Sequence, residues 1–165
     1  MRAQVPEIPA TAVLLWNLLD EPLIRWRSTD GGALHSTSLP QLLAAMAANE
    51  VRDFPALRPH QRHPWHAFLV QLAAIGLHKA ERTAVFETAQ EWRDGLLALT
   101  PDDPDGAAWC LVSPPDRPAL LQAAVVGGSI SEWKSEVYAA DEIDMLVTSK
   151  NHDIKGSRAR RAQPE

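Results

Sequence analysis

The sequence predicts an α+β fold, and three observations carry that reading. A turn-centred segment near the start marks an N-terminal β-hairpin. Later segments combine helical periodicity with capping residues, which predicts several packed helices alongside short strands. Thirteen prolines against eight glycines divide the chain into many short elements joined by stiff turns, which argues against an all-helical bundle. At 165 residues, 45% hydrophobic and 22% charged, the chain is long enough to bury one core and is not of disordered composition, so one domain is expected.

Residues 1–16, with Pro6 and Pro9, read as a flexible extension, residues 17–155 as the folded domain, and residues 156–165 as a basic polar tail. Pro22–Ser28 and Ala33–Thr37 flank Asp30-Gly31-Gly32, which supplies the positive backbone angles of a tight hairpin turn, although the alternation of the first strand is imperfect. Ser38 is a capping serine, Pro40 suits a first turn, and the helix formers that follow end at Asn49. Phe54–Leu57 is a connector into the longest apolar segment, Arg58–His78. There Trp65, Phe68, Leu69, Leu72 and Ile75 recur at steps of three and four, so this segment is expected to be the central helix against which everything else packs. It starts at Pro59 or at Pro64, because proline is comfortable only in a first turn.

Glu81–Leu99 reads as a second amphipathic helix with Val85, Ala89, Trp92 and Leu96 on one face. Pro101–Gly106 is a loop by its turn chemistry, and Ala108–Val112 is a short buried, strand-like run closed by Pro114-Pro115. Pro118–Gly128 reads as irregular and extended. Asp141–Val147 has acids in its first turn, as a short helix does, and runs into Thr148–Lys155.

The single Cys110 excludes an intramolecular disulfide and a cysteine-based zinc cage, and it fits a reducing compartment. The apolar run Ala12–Leu19 is interrupted by Asn17 and lacks a basic leader, and the segment after Trp65 is too short to span a bilayer. A soluble, cytoplasmic protein without membrane contact is the expectation. The net charge of −5 argues against general polyanion binding, but it is unevenly spread. Lys150, Lys155, Arg158, Arg160 and Arg161 against Asp153 and Glu165 give residues 149–165 a net of +3, leaving −8 for the rest. A basic segment on an acidic body can still meet a phosphate backbone, because contact depends on the local field; the alternative is a solvated tail.

Several clusters invite chemistry. His60, His63 and His66, with Asp53 nearby, raise the alternative of a metal-dependent hydrolase. Steps of three drift about sixty degrees around a helix, however, so the first and third histidines do not converge as an i, i+4 pair does. A polar helix entrance packing Trp65 is the plainer reading, with phosphate contact by Arg58 and Arg62 between the two. Cys110 sits between Trp109 and Leu111 without an activating neighbour and reads as a buried structural thiol. Gly127-Gly128-Ser129 lacks the lysine and helix of a phosphate loop and reads as a turn, and Glu81, Glu87, Glu91 and Asp94 read as solvated helix charges. Lys150-Asn151-His152-Asp153 with Lys155 offers donors and acceptors suited to probing a nucleic-acid groove, or alternatively a self-satisfied capping turn. A small helical protein-interaction module is a third class of reading.

Four segments, in order and spacing, resemble the amino-terminal region of the CasA-type large subunit of the type I-E CRISPR surveillance complex, Cascade. They are Asn17-Leu-Leu-Asp-Glu-Pro-Leu-Ile-Arg25, Ser38-Leu-Pro-Gln-Leu-Leu43, the long stretch Phe54–Ala74, and Asp144-Met-Leu-Val-Thr-Ser-Lys-Asn-His-Asp-Ile-Lys155. The resemblance covers about residues 17–155, with Phe54–Ala74 its most specific part. It implies a non-catalytic subunit without a cofactor, acting in antiviral defence. Such a subunit helps recognise the protospacer-adjacent motif in double-stranded target DNA and lies near the 5′ handle of the guide RNA. The implied partners are the other Cascade subunits, the guide RNA, the target DNA, and a helicase-nuclease recruited through a carboxy-terminal part of the family that this chain lacks. Ser149, Lys150, Asn151, His152, Asp153 and Lys155 resemble the contact loop of that family, without the aromatic residue that some members carry there. Family members are much longer, so the resemblance implies an incomplete domain of a larger subunit, a truncated product or fragment ending at Arg158–Glu165.

Overall fold

The computed structural model describes residues 14–129 and Ser131. Strand β1 is Leu15–Asn17, β2 Ile24–Ser28, β3 Leu34–Thr37, β4 Val51–Asp53 and β5 Cys110–Val112; helix α1 is Leu39–Ala47, α2 Pro59–Lys79 and α3 Ala89–Leu97. The fold is α+β, with its hairpin at the N-terminal side. One antiparallel sheet has the order β3-β2-β4 and the other pairs β1 with β5. Leu15 and Trp16 lie in β1, opposite β5, which corrects the placing of both residues in a flexible extension.

The hairpin forms where the Asp-Gly-Gly signal put it. Gly31 and Gly32 adopt φ of +64° and +69°, values that a side chain disfavours. The register Ile24 opposite Thr37 and Trp26 opposite His35 turns Ile24, Trp26 and Ser28 inward and leaves Arg25 and Arg27 exposed, a cleaner alternation than the sequence implied. β4 joins the far edge of β2 with a register shift at Arg27 and Ser28; three residues are too few to show periodicity, and sequence reading missed this strand.

Helix α1 is capped as expected. The Ser38 N–H donates to Gln41 Oε1 at 3.0 Å, and Pro40 occupies the first turn. At the other end Asn49 takes φ of +59°, its N–H bonding Met46 O at 3.0 Å while the Glu50 N–H bonds Ala45 O at 2.9 Å. Leu39, Leu42 and Leu43 are buried, and α1 packs along α3. The core joins these leucines to Leu18, Leu19, Ile24, Trp26, Leu69, Phe86, Trp92, Leu96 and Trp109.

Two expectations about helices are corrected. Helix α2 does start at Pro59, but it flanks the core: only Leu69 and Gly76 are buried along its length, while Ile75 stays 54% exposed. The buried centre is α1 between β2 and α3. The second correction concerns Glu81–Leu99, of which only Ala89–Leu97 is helical. Helix α2 closes in a left-handed turn at Glu81, φ +52°, with Glu81 N–H to His78 O at 3.0 Å and Arg82 N–H to Leu77 O at 2.9 Å. Thr88 then opens α3: its Oγ1 accepts from the Glu91 N–H at 3.2 Å and the Glu91 carboxylate accepts from the Thr88 N–H at 3.0 Å. Between the two ends Val85 is 53% exposed and Phe86 turns inward, edge-on to Trp92 with ring centres 5.0 Å apart.

The remaining segments follow their turn chemistry. Ala107–Trp109 is a single 3₁₀ turn leading into β5, shorter than the Ala108–Val112 strand expected, and residues 113–129 are irregular apart from a second such turn at Val126–Gly128.

Candidate nucleic-acid interface

Ser149, Lys150, Asn151, His152, Asp153 and Lys155 lie outside the described residues, as does the helix expected at Asp141–Val147. The described residues do place the other candidates. His60, His63 and His66 are exposed on the first two turns of α2. Among the described residues no group of three or more His, Cys, Asp and Glu side chains is placed to hold a metal ion. The physical reason is the sixty-degree drift per step of three, which spreads the imidazoles around the helix.

Trp65 stacks on Phe68 at 5.6 Å and meets Phe54 edge-on at 6.0 Å, so this end of α2 is fixed on the connector after β4. Arg25, Ile24, Phe54, Leu57 and Trp65 border one small pocket of about 20 Å³, which brings the start of β2 against the start of α2. Along β2, Arg27 is two residues from Arg25 and pairs with Asp53 at 3.4 Å; Arg52 reaches the other oxygen of Asp53 at 3.8 Å. One helical turn before Trp65 stands Arg62, exposed. Arg52 and Arg27 thus share Asp53 on the sheet, Arg25 lies two residues along β2, and Arg62 stands on the first turns of α2. Sequence reading singled out Arg58 and Arg62 but missed Arg25, Arg27 and Arg52. The signal was present: from Val51 to Ala80 the sole acid is Asp53, and from Pro22 to Thr29 there is none.

Other clusters serve the fold. Burial pushes the Cys110 thiol above its ordinary value, with the charge of Asp103 acting the same way, and the buried Sγ lies 3.5 Å from Gly106 O. Burial of this kind disfavours the thiolate, in keeping with a structural thiol. Arg117 ties the loop after α3 to itself, 3.2 Å from both Asp103 and Asp105, along an open groove of about 560 Å³. Gly127 and Gly128, at φ of +76° and +67°, form a turn. Of the acids around α3, Glu91 is a cap rather than a free helix charge; the Thr88 N–H first, then its hydroxyl and the Glu87 N–H, hold that carboxyl below its ordinary value of 4.5. Asp94 accepts from Gln90 at 2.8 Å.

No helix among the described residues is long and apolar enough to cross a membrane. No protein-family model, no curated protein and no solved structure matches the chain.

Proposed function

We propose that the chain is an amino-terminal part of a CasA-like subunit of a CRISPR RNA-guided surveillance complex. In this reading it is non-catalytic and contributes nucleic-acid contacts in antiviral defence within the cytoplasm. The observation that carries the reading is the ordered set of four matching segments between Asn17 and Lys155. The α+β fold with its early hairpin is compatible with it. Base pairing by the guide reads the target, and the protein supplies motif and backbone contacts. Ser149 to Asp153 with Lys155 is the loop that would touch the protospacer-adjacent motif and the region of the guide handle. The other Cascade subunits, guide RNA, target duplex and helicase-nuclease are its partners.

Co-purification of the chain with the remaining subunits and guide RNA, followed by gel-shift titration on motif-bearing duplex, tests the proposal. Association with the complex and weaker binding by Lys150→Ala or Asn151→Ala, with the fold retained, is the expected outcome. A chain that neither joins the complex nor alters its binding to motif-bearing DNA refutes it. The hydrolase alternative needs converging ligands, and the spread of His60, His63 and His66 around α2 gives it no support.

A further inference from the structure

We infer that the exposed face of α2 is the docking site for the chain's own segment 130–147, which packs along it as an amphipathic helix. The first ground is that α2 is apolar on both sides. Leu69 and Gly76 are buried toward the core, and among the described elements α2 packs chiefly on α3. On the opposite side Ala67, Val70 and Ala74 recur at steps of three and four with Ile75 beside them. All four are exposed, Val70 by 50% and Ile75 by 54%. A helix that is apolar all round belongs between neighbours rather than at a wet surface.

The second ground is charge, which selects the occupant. Phe54–Ala80 is the longest run of the chain without Asp or Glu. Outside it the described residues carry thirteen acids against six cations. Most of the surface therefore repels an acidic segment, whereas α2, with Arg62 near one end and Lys79 at the other, attracts it. Segment 130–147 has that character: Glu132, Glu136, Asp141, Glu142 and Asp144 against Lys134 give it a net of −4. Its apolar residues Ile130, Trp133, Val137, Ala140, Ile143 and Val147 also recur at steps of three and four, the spacing of one helix face. As a helix it is about 27 Å long, close to the length of about 31 Å of α2. Arg58 and His60, at the start of α2, are engaged already, and the match does not need them.

Other occupants fit less well. A two-fold pairing of α2 with a second copy brings Arg62 against Arg62 or Lys79, with no acid between Phe54 and Ala80 to offset them. A foreign acidic helix competes with a segment that follows Ser129 directly in the chain, and such a tether holds the segment near the domain at about millimolar effective concentration. The segment ends before Ser149, so its docking stands or fails independently of what Ser149–Lys155 contacts.

Hydrogen exchange of the full chain, read peptide by peptide, tests the inference. Amides of residues 133–147 should exchange at least about tenfold more slowly than in an unstructured chain. Val70→Glu with Ala74→Glu puts two carboxylates on the docking face and should bring that exchange to within about twofold of the unstructured rate, while the amides of α1 and α3 keep theirs. Leu34→Glu, on β3 where Leu34 is 61% exposed, should leave the segment unchanged. Should the double variant disturb α2 itself, seen as faster exchange at 65–79, Glu136→Lys with Asp141→Lys makes the same test from the segment. That pair should speed exchange of 133–147 at least about threefold. An unprotected segment in the native chain, equal effects of the α2 and β3 variants, or a protected segment insensitive to both double variants overturns the assignment. Sedimentation should find a monomer; a dimer dissolved by Val70→Glu with Ala74→Glu gives the face to a second copy and overturns it as well.

Discussion

Replacing Gly76 and Gly95 by alanine should shift stability in opposite directions, although both sit inside helices and both are buried. Alanine improves the helix propensity of either site by about 1 kcal/mol. A Cβ on Gly76 meets only Leu96 Cδ2 at 4.0 Å, an ordinary contact, so Gly76→Ala should stabilise the fold by about 0.5–1 kcal/mol. A Cβ on Gly95 falls 2.7 Å from Phe86 Cε2 and 3.0 Å from Cζ. Phe86 has little freedom to retreat, being 5% exposed, edge-on to Trp92 and covered by the Arg82 guanidinium 5.3 Å above its ring. Overpacking of this kind costs about 1–3 kcal/mol, so Gly95→Ala should be destabilising by up to about 2 kcal/mol despite its better propensity. Urea unfolding followed by tryptophan fluorescence reads both shifts as changes in midpoint at constant slope. In a Phe86→Leu background the penalty on Gly95→Ala should shrink, with a coupling of about 0.5–3 kcal/mol. If Gly95→Ala proved as stabilising as Gly76→Ala, the seating of Phe86 against α3 would be refuted.

Two further expectations concern the cap of α3 and the buried thiol. Thr88→Ala should cost about 1 kcal/mol at neutral pH by removing the acceptor of the Glu91 N–H. Because the native Glu91 carboxyl lies below its ordinary value of 4.5, its contribution is present above pH 4.5 and is lost as pH falls through the lowered native value. Acid unfolding of Glu91→Gln should therefore be less steep in that window, and an unchanged acid limb would remove the Glu91 carboxylate from the cap. Cys110 should resist a thiol reagent in the native state and react at once in denaturant; rapid native labelling would contradict its 1% exposure and raised pKa.

Local grammar was legible wherever a few neighbouring residues decide the backbone. Asp30-Gly31-Gly32 specified the turn of the hairpin, and Ser38 with Asn49 bounded α1 to within a residue or two. The same grammar was overlooked at Thr88-x-x-Glu91, whose capping box starts α3 and shows why the apolar spacing of Val85 with Ala89 does not extend the helix backwards. At the site, the histidines and arginines of α2 were visible as residue types, but their partners on β2 and β4 were not. Arg25 and Trp65 are forty positions apart in the chain and share one pocket only because β4 and the Phe54–Leu57 connector fold back between them.

By itself, then, the sequence determined fold class, the hairpin, the ends of α1, the start of α2 and the structural character of Cys110, all of which follow from short-range backbone preference and composition. Only the tertiary structure decided which helix is central. Periodicity states that Trp65, Phe68, Leu72 and Ile75 share a face, but burial depends on what other elements bring to it. The leucines of α1 meet Trp26, Trp92 and Leu96 from β2 and α3, whereas α2 reaches that core chiefly through Leu69. Tertiary structure likewise brought Arg27 and Arg52, twenty-five positions apart, onto the one carboxylate of Asp53, because β2 and β4 pair antiparallel.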